Sequence, residues 1–259
     1  MTKEMINGAQ HLGIKAFLLF AIYTLAFGRI SGVLELPLQD STLNLINRCL
    51  LLSLILGFIY FRGAWTLLQL SRRANLHEFW ILAPMLILGG VTFISPEINW
   101  RQPNVVSMLI LAVVMALGEE LLFRGYILSL FEKSGAFRAA VIAAVLFGGT
   151  NIVGFVSPVV FGDVDYRMVF VQILFFFSIG LIMGAARLRS GSLWMVCLAN
   201  FIFKFSAFIA SSGVAAVWVY SESGVIFLPI ISAILGVWGL FCCWFVTRKE
   251  RQGVSLEGS

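Results

Sequence analysis

Four ionisable side chains stand inside otherwise apolar sequence: Glu119, Glu120, Arg124 and Lys204. The first three fall in Gly118-Glu119-Glu120-Leu121-Leu122-Phe123-Arg124-Gly125. On a helix, residues four apart lie one above the other, so the spacing predicts an ion pair between Glu120 and Arg124. Glu119 is turned about 100° from its neighbour, because a helix has 3.6 residues per turn, and is left for other chemistry. A carboxylate in a low-dielectric site is suited to general acid or base catalysis. The alternative role is structural, with both acids tied to basic residues of neighbouring helices. Asn200 and Lys204 are also four apart and share a face.

The elements that must position these groups follow from composition. Of 259 residues, 60% are hydrophobic and 12% charged, against about 25% charged in a soluble domain. That excludes a soluble enzyme, a disordered chain and a secreted disulfide scaffold, and leaves a polytopic membrane protein. A membrane-crossing helix needs about 20 apolar residues, and eight apolar stretches stand out, at 14–34, 43–61, 79–95, 104–124, 138–157, 168–186, 192–211 and 224–246. The expected fold is an all-α helix bundle of about eight transmembrane helices. It forms a single domain over 1–247 with a short polar, disordered cytoplasmic tail over 248–259. There is no internal repeat, and the first apolar run lacks a cleavage pattern and reads as a span. The connection 62–78, with Leu67, Leu68, Leu70 and Leu76, reads as an interfacial amphipathic piece.

Loop charges set the expected orientation. With the N-terminus in the cytoplasm, the inner side holds Lys3, Lys15, Arg62, Arg72, Arg73, Lys133, Arg138, Arg187, Arg189, Arg248, Lys249 and Arg251. The outer loops hold only Arg101 and Arg167, beside the acids Glu35, Asp40, Glu97, Asp163, Asp165 and Glu222. This is the positive-inside pattern with both termini cytoplasmic. It accounts for the net charge of +5 without nucleic acid. Arg29 and Arg48 lie near the outer span ends and can snorkel. Cys49, Cys197, Cys242 and Cys243 lie in apolar runs without a CxxC pair, so neither a disulfide framework nor a zinc site is indicated. Cys242 and Cys243 read as lipid-facing or packing residues.

Ionisable groups inside a membrane usually mark function. Counted from the inner flanks, Glu119 is 14 residues from Lys133, Asn151 is 13 from Arg138, and Asn200 and Lys204 are 11 and 15 from Arg189. At ~1.5 Å per residue these groups on three helices reach similar depth. Polar groups in hydrocarbon need partners, so they should converge on one buried site. Either asparagine alone reads as a helix–helix hydrogen bond.

These residues resemble the CPBP family, the CAAX-processing and bacteriocin-processing intramembrane proteases. Glu-Glu-Leu-Leu-Phe-Arg-Gly-Tyr at 119–126 is similar to its first motif. Phe147-Gly148-Gly149-Thr150-Asn151 is similar to the second, Phe-x-x-x-His, with Asn at the His position. Gly191-Ser192-Leu193-Trp194 resembles the turn into the third, His-x-x-x-Asn/Asp, where Asn200 and Lys204 fall on the His and the Asn/Asp. The resemblance covers residues 104–210.

It implies that Glu119 activates a water against a peptide carbonyl, that Glu120 and Arg124 hold the site, that the residue at 151 positions the water and that those at 200 and 204 stabilise the oxyanion. Both metal-dependent and glutamate-only mechanisms belong to such proteins. The only histidines, His11 and His77, lie outside the matching segment and read as solvated and interfacial residues. Two adjacent glutamates beside a lysine make a poor metal site, so neither metal nor cofactor is expected. Asn200 can still donate to an oxyanion but cannot take up a proton as His can.

The leading expectation is a CPBP-type intramembrane endopeptidase using Glu119 as general base, weak or degenerate because Lys204 pairs with Glu119. The alternatives are a catalytically silent relative acting as a membrane-protein-binding regulator or bacteriocin immunity factor, and a small transporter or channel, which predicts broken helices near mid-membrane at Gly148-Gly149 or Pro158. The expected partners are a membrane-embedded or lipidated peptide or protein segment and membrane lipids. The expected location is a bacterial cytoplasmic membrane.

Overall fold

The computed structural model describes residues 40–68, 70, 76–93, 105–159, 166–209 and 222–256, with Lys15 and Leu18. Apart from those two residues, the stretch 14–34 lies outside the described residues, as do most of the acidic loop residues. Every described element is helical. Helix α1 is Asp40–Phe61, followed by a turn of helix at Trp65–Leu68 and a 3-10 segment Leu76–Leu82 that leads into α2, Ala83–Phe93. Helix α3 starts as Val105–Glu120, passes through a π-helical stretch Leu121–Ile127 and ends as Leu128–Glu132. Helices α4 (Ala136–Val159), α5 (Tyr166–Ser190), α6 (Leu193–Ile209) and α7 (Glu222–Leu256) follow.

Four described segments are long and apolar enough to cross a membrane: Asn44–Phe61, Val105–Glu132, Val169–Ser190 and Phe227–Arg248. His77–Val91, Ala136–Thr150 and Leu193–Ile209 are apolar but shorter. The outward faces are apolar too. Along α7, Phe227, Ile230, Ile234, Val237, Phe241 and Trp244 are all exposed, and their three- and four-residue spacing places them on one side of the helix. A single-sided apolar stripe of this kind matches a hydrocarbon surround.

Helix α5 lies at the centre of one half, packed along both α4 and α7, and small residues make this possible. A Cβ added at Gly180 would sit 2.9 Å from the Ala144 Cα, and one at Gly148 would sit 3.1 Å from the Ile173 carbonyl oxygen. Small residues let backbones approach closely where lipid offers no hydrophobic drive between helices. Gly148 therefore serves close packing, and α4 runs unbroken through Gly148-Gly149 to Val159. The break that a transporter reading requires there is not present. Cys242 and Cys243 are buried packing residues on α7. The same helix continues to Leu256, so a disordered tail beginning at Arg248 is not what the structure shows.

Helix α3 with the α1 and α6 helices packed along it makes up the other half. The described part of the connection from α1 packs into the bundle at Leu68, and Ile81 and Leu82 of the segment that follows are fully buried as well. Ser129 donates to the Leu67 carbonyl at 3.1 Å, Arg187 to that of Leu68 at 3.3 Å and the Trp194 indole to that of Leu70 at 2.9 Å. Glu78 pairs with Arg189 at 3.0 Å. The three hydrogen bonds satisfy carbonyls at and just beyond the end of the Trp65–Leu68 turn that would otherwise be left unpaired. Gly125 completes the fit, because a Cβ there would lie 2.6 Å from the Leu68 Cδ2.

Candidate functional site

The site is built where the regular α-turns of α3 give way to the wider π-turns. The N–H of Leu128 donates to the carbonyl of Phe123, five residues back. Such bulges recur at functional sites. All seven residues of the stretch are buried, so the bulge is held by packing on every side. Nothing in the spacing of the first motif foretells it.

Glu120 and Arg124 meet as their four-residue spacing requires, with Arg124 Nη1 3.0 Å from Glu120 Oε1 and both side chains 0% exposed. The Arg124 guanidinium also lies over the Phe147 ring, 4.2 Å from its centroid. A desolvated cation over an aromatic face gains about 2 kcal/mol. Phe147 in turn packs edge-on against Phe123, the ring centroids being 5.4 Å apart. This contact gives the aromatic residue of the second motif a task, that of supporting the arginine of the first. The sequence puts Phe147 in the second motif but gives no sign of this role.

Helix α6 brings two further groups from the same face. Lys204 Nζ lies 2.9 Å from Glu119 Oε1, with both side chains 13% exposed. Asn200 is buried between the two acids. Its Nδ2 donates to Glu120 Oε1 at 2.7 Å and to Glu119 Oε2 at 3.3 Å. The neighbouring acids are therefore linked through one amide, although their helical positions point them apart. An asparagine amide has two N–H donors, and both are engaged by carboxylates here. The oxyanion role considered for Asn200 has no free N–H in this arrangement.

Of the six expected residues, the structure brings Glu119, Glu120, Arg124, Asn200 and Lys204 together. Asn151 belongs to α4, but its side chain is outside the described residues. His77 is exposed in the segment Leu76–Leu82, and His11 is outside the described residues. The remaining polar atoms are informative. Glu120 Oε2 and Arg124 Nε and Nη2 are buried without a hydrogen-bond partner among the described residues. Buried polar groups of this kind usually hold an internal water.

A divalent metal does not fit these residues. Metal sites gather carboxylate, imidazole or thiolate donors, whereas Glu119 and Glu120 are each already bound to a side-chain cation. Among the described residues no three His, Cys, Asp or Glu side chains cluster as ligands.

No curated protein matches the chain. Residues 100–206 match a family model, that of the type II CAAX prenyl endopeptidase Rce1-like proteins. The matched stretch contains the Glu119–Arg124 motif, the α4 segment with Phe147, and Asn200 with Lys204. The motifs within it and this match agree, and the segment 100–206 is similar to the Rce1-like proteins of the CPBP intramembrane protease family.

Proposed function

We propose that this protein is a CPBP-type membrane protein whose peptide hydrolysis is weak or lost and which works by holding a membrane-embedded or lipidated peptide segment at the Glu119 site. The observation that carries the reading is the 2.9 Å ion pair between Lys204 and Glu119. A general base must accept a proton from the attacking water. Doing so at Glu119 discharges the carboxylate beside a largely buried ammonium, and breaking such a pair costs up to about 3–5 kcal/mol. At 1.36 kcal/mol per decade, that slows hydrolysis by roughly two to four decades. Each carboxylate oxygen keeps a second lone-pair site, so water can still reach Glu119 and a slow reaction survives.

The same chemistry favours binding. Beyond its bond to Glu119, Lys204 has two further N–H donors suited to a peptide carbonyl. We place this protein in a bacterial cytoplasmic membrane, with about eight spans, both termini inside and the CPBP core at 104–210. The loop charges of the sequence support that placement.

The test uses the full chain in detergent with a panel of membrane-anchored and prenylated peptides. Wild type should retain labelled peptide while cleaving it little. The triple variant Asn151→His/Asn200→His/Lys204→Asn should gain cleavage that Glu119→Ala abolishes. Rapid Glu119-dependent cleavage by the wild type would establish an active protease and overturn the proposal.

A further inference from the structure

A second polar site lies away from the acids, at the bundle end where α4 begins and the apolar part of α7 stops. A groove of about 880 Å³ is lined there by Ser134, Phe137, Arg138, Trp244, Thr247 and Arg248. Its two cations come from helices far apart in sequence. Arg138 stands in the first turn of α4, and Arg248 is the last residue of the membrane-crossing segment Phe227–Arg248. Both are exposed, and neither forms an ion pair among the described residues. Arg248 is held over the Trp244 ring, 5.4 Å from its centroid. The exposed Phe137 and Trp244 continue the apolar surface that faces hydrocarbon.

Each feature fits one ligand class. Two guanidinium groups lining one groove, brought there by two different helices, match a phosphate, which arginine binds through paired N–H donors. Aromatic rings beside them belong at the level of lipid headgroups. The two hydroxyls in the groove are already donating, Ser134 to the Phe131 carbonyl at 2.6 Å and Thr247 to that of Cys243 at 2.8 Å. They are left to accept hydrogen bonds, which suits a headgroup that carries hydroxyls of its own. Basic pockets between membrane helices bind anionic headgroups in this way.

We propose that this groove binds an anionic phospholipid, its phosphodiester between Arg138 and Arg248 and its hydroxylated headgroup against Ser134 and Thr247. The site is independent of the Glu119 cluster. The test uses the full chain in a neutral detergent with added phosphatidylglycerol or phosphatidylcholine, reading thermal stability and the lipid retained in native mass spectrometry. Phosphatidylglycerol should raise the melting temperature by several degrees and remain bound, and phosphatidylcholine should do neither. Arg138→Gln/Arg248→Gln should lose most of that shift and retention, while Arg62→Gln, an exposed arginine outside the groove, should keep both. Size-exclusion profiles without lipid check that the variants are folded, and Arg248→Gln alone serves if the double variant aggregates. The proposal is overturned if the arginine variants respond to phosphatidylglycerol as wild type does, if Arg62→Gln loses as much, or if inorganic phosphate reproduces the full shift.

Discussion

Lys204 Nζ and Glu119 Oε1 lie 2.9 Å apart on helices that meet inside the bundle. Removing one partner leaves a largely buried charge unpaired, which costs about 3–5 kcal/mol. Glu119→Gln and Lys204→Met should each lower the melting temperature of the purified protein. The double variant should lose less than the sum of the two, because neither charge is then stranded. Additive losses in a double-mutant cycle would show that the pair carries no coupling.

The Glu120–Arg124 pair is fully enclosed and should tolerate change least. Arg124→Met strands Glu120 and removes the contact with Phe147. Arg124→Lys keeps the charge but loses the planar stacking group. Folded protein recovered from membranes should fall in the order wild type, Arg124→Lys, Arg124→Met. Equal recovery of all three would deny the pair a structural role.

Asn200 donates to both acids, so its chemistry can be tested by sign. Hydrogen bonds to charged groups contribute about 1.5–3 kcal/mol, which is the expected loss for Asn200→Ala. Asn200→Asp has nearly the same shape but sets a third carboxylate against two others. It should be the more destabilising change in thermal unfolding, and an aspartate variant as stable as the alanine one would contradict the geometry.

The α4–α5 contact should discriminate between glycines. Gly180→Ala would force a Cβ to 2.9 Å from Ala144 backbone, whereas at Gly184 the nearest atom is 3.4 Å away. Overpacking of this kind costs about 1–3 kcal/mol. Gly180→Ala should therefore reduce thermal stability clearly, and Gly184→Ala should be close to neutral.

Orientation is open to chemical labelling. In a Cys49→Ser background, a cysteine replacing Glu222 should react with an impermeant thiol reagent from outside in intact cells. One replacing Arg72 should react only after the membrane is opened. The reverse pattern would invert the proposed topology.

The sequence by itself determined the medium and the candidate chemistry. Too few charges for a watery surface meant helices in lipid, because only a helix bonds its own backbone within one segment there. Four-residue spacing also determined that Glu120 meets Arg124 and that Asn200 and Lys204 share a face, since these are local consequences of helix geometry. What spans helices was decided only by the tertiary structure. The π-helical stretch, the stacking of Arg124 on Phe147, the bridge from one Asn200 amide to both acids and the side-chain donors that reach the Leu67, Leu68 and Leu70 carbonyls all depend on the approach and rotation of neighbouring helices. Those are set by side-chain packing over long sequence separations, which local periodicity does not encode. Gly148 shows the difference plainly: the sequence allows a break at that glycine, and the neighbouring backbone of α5 makes it a point of close contact instead.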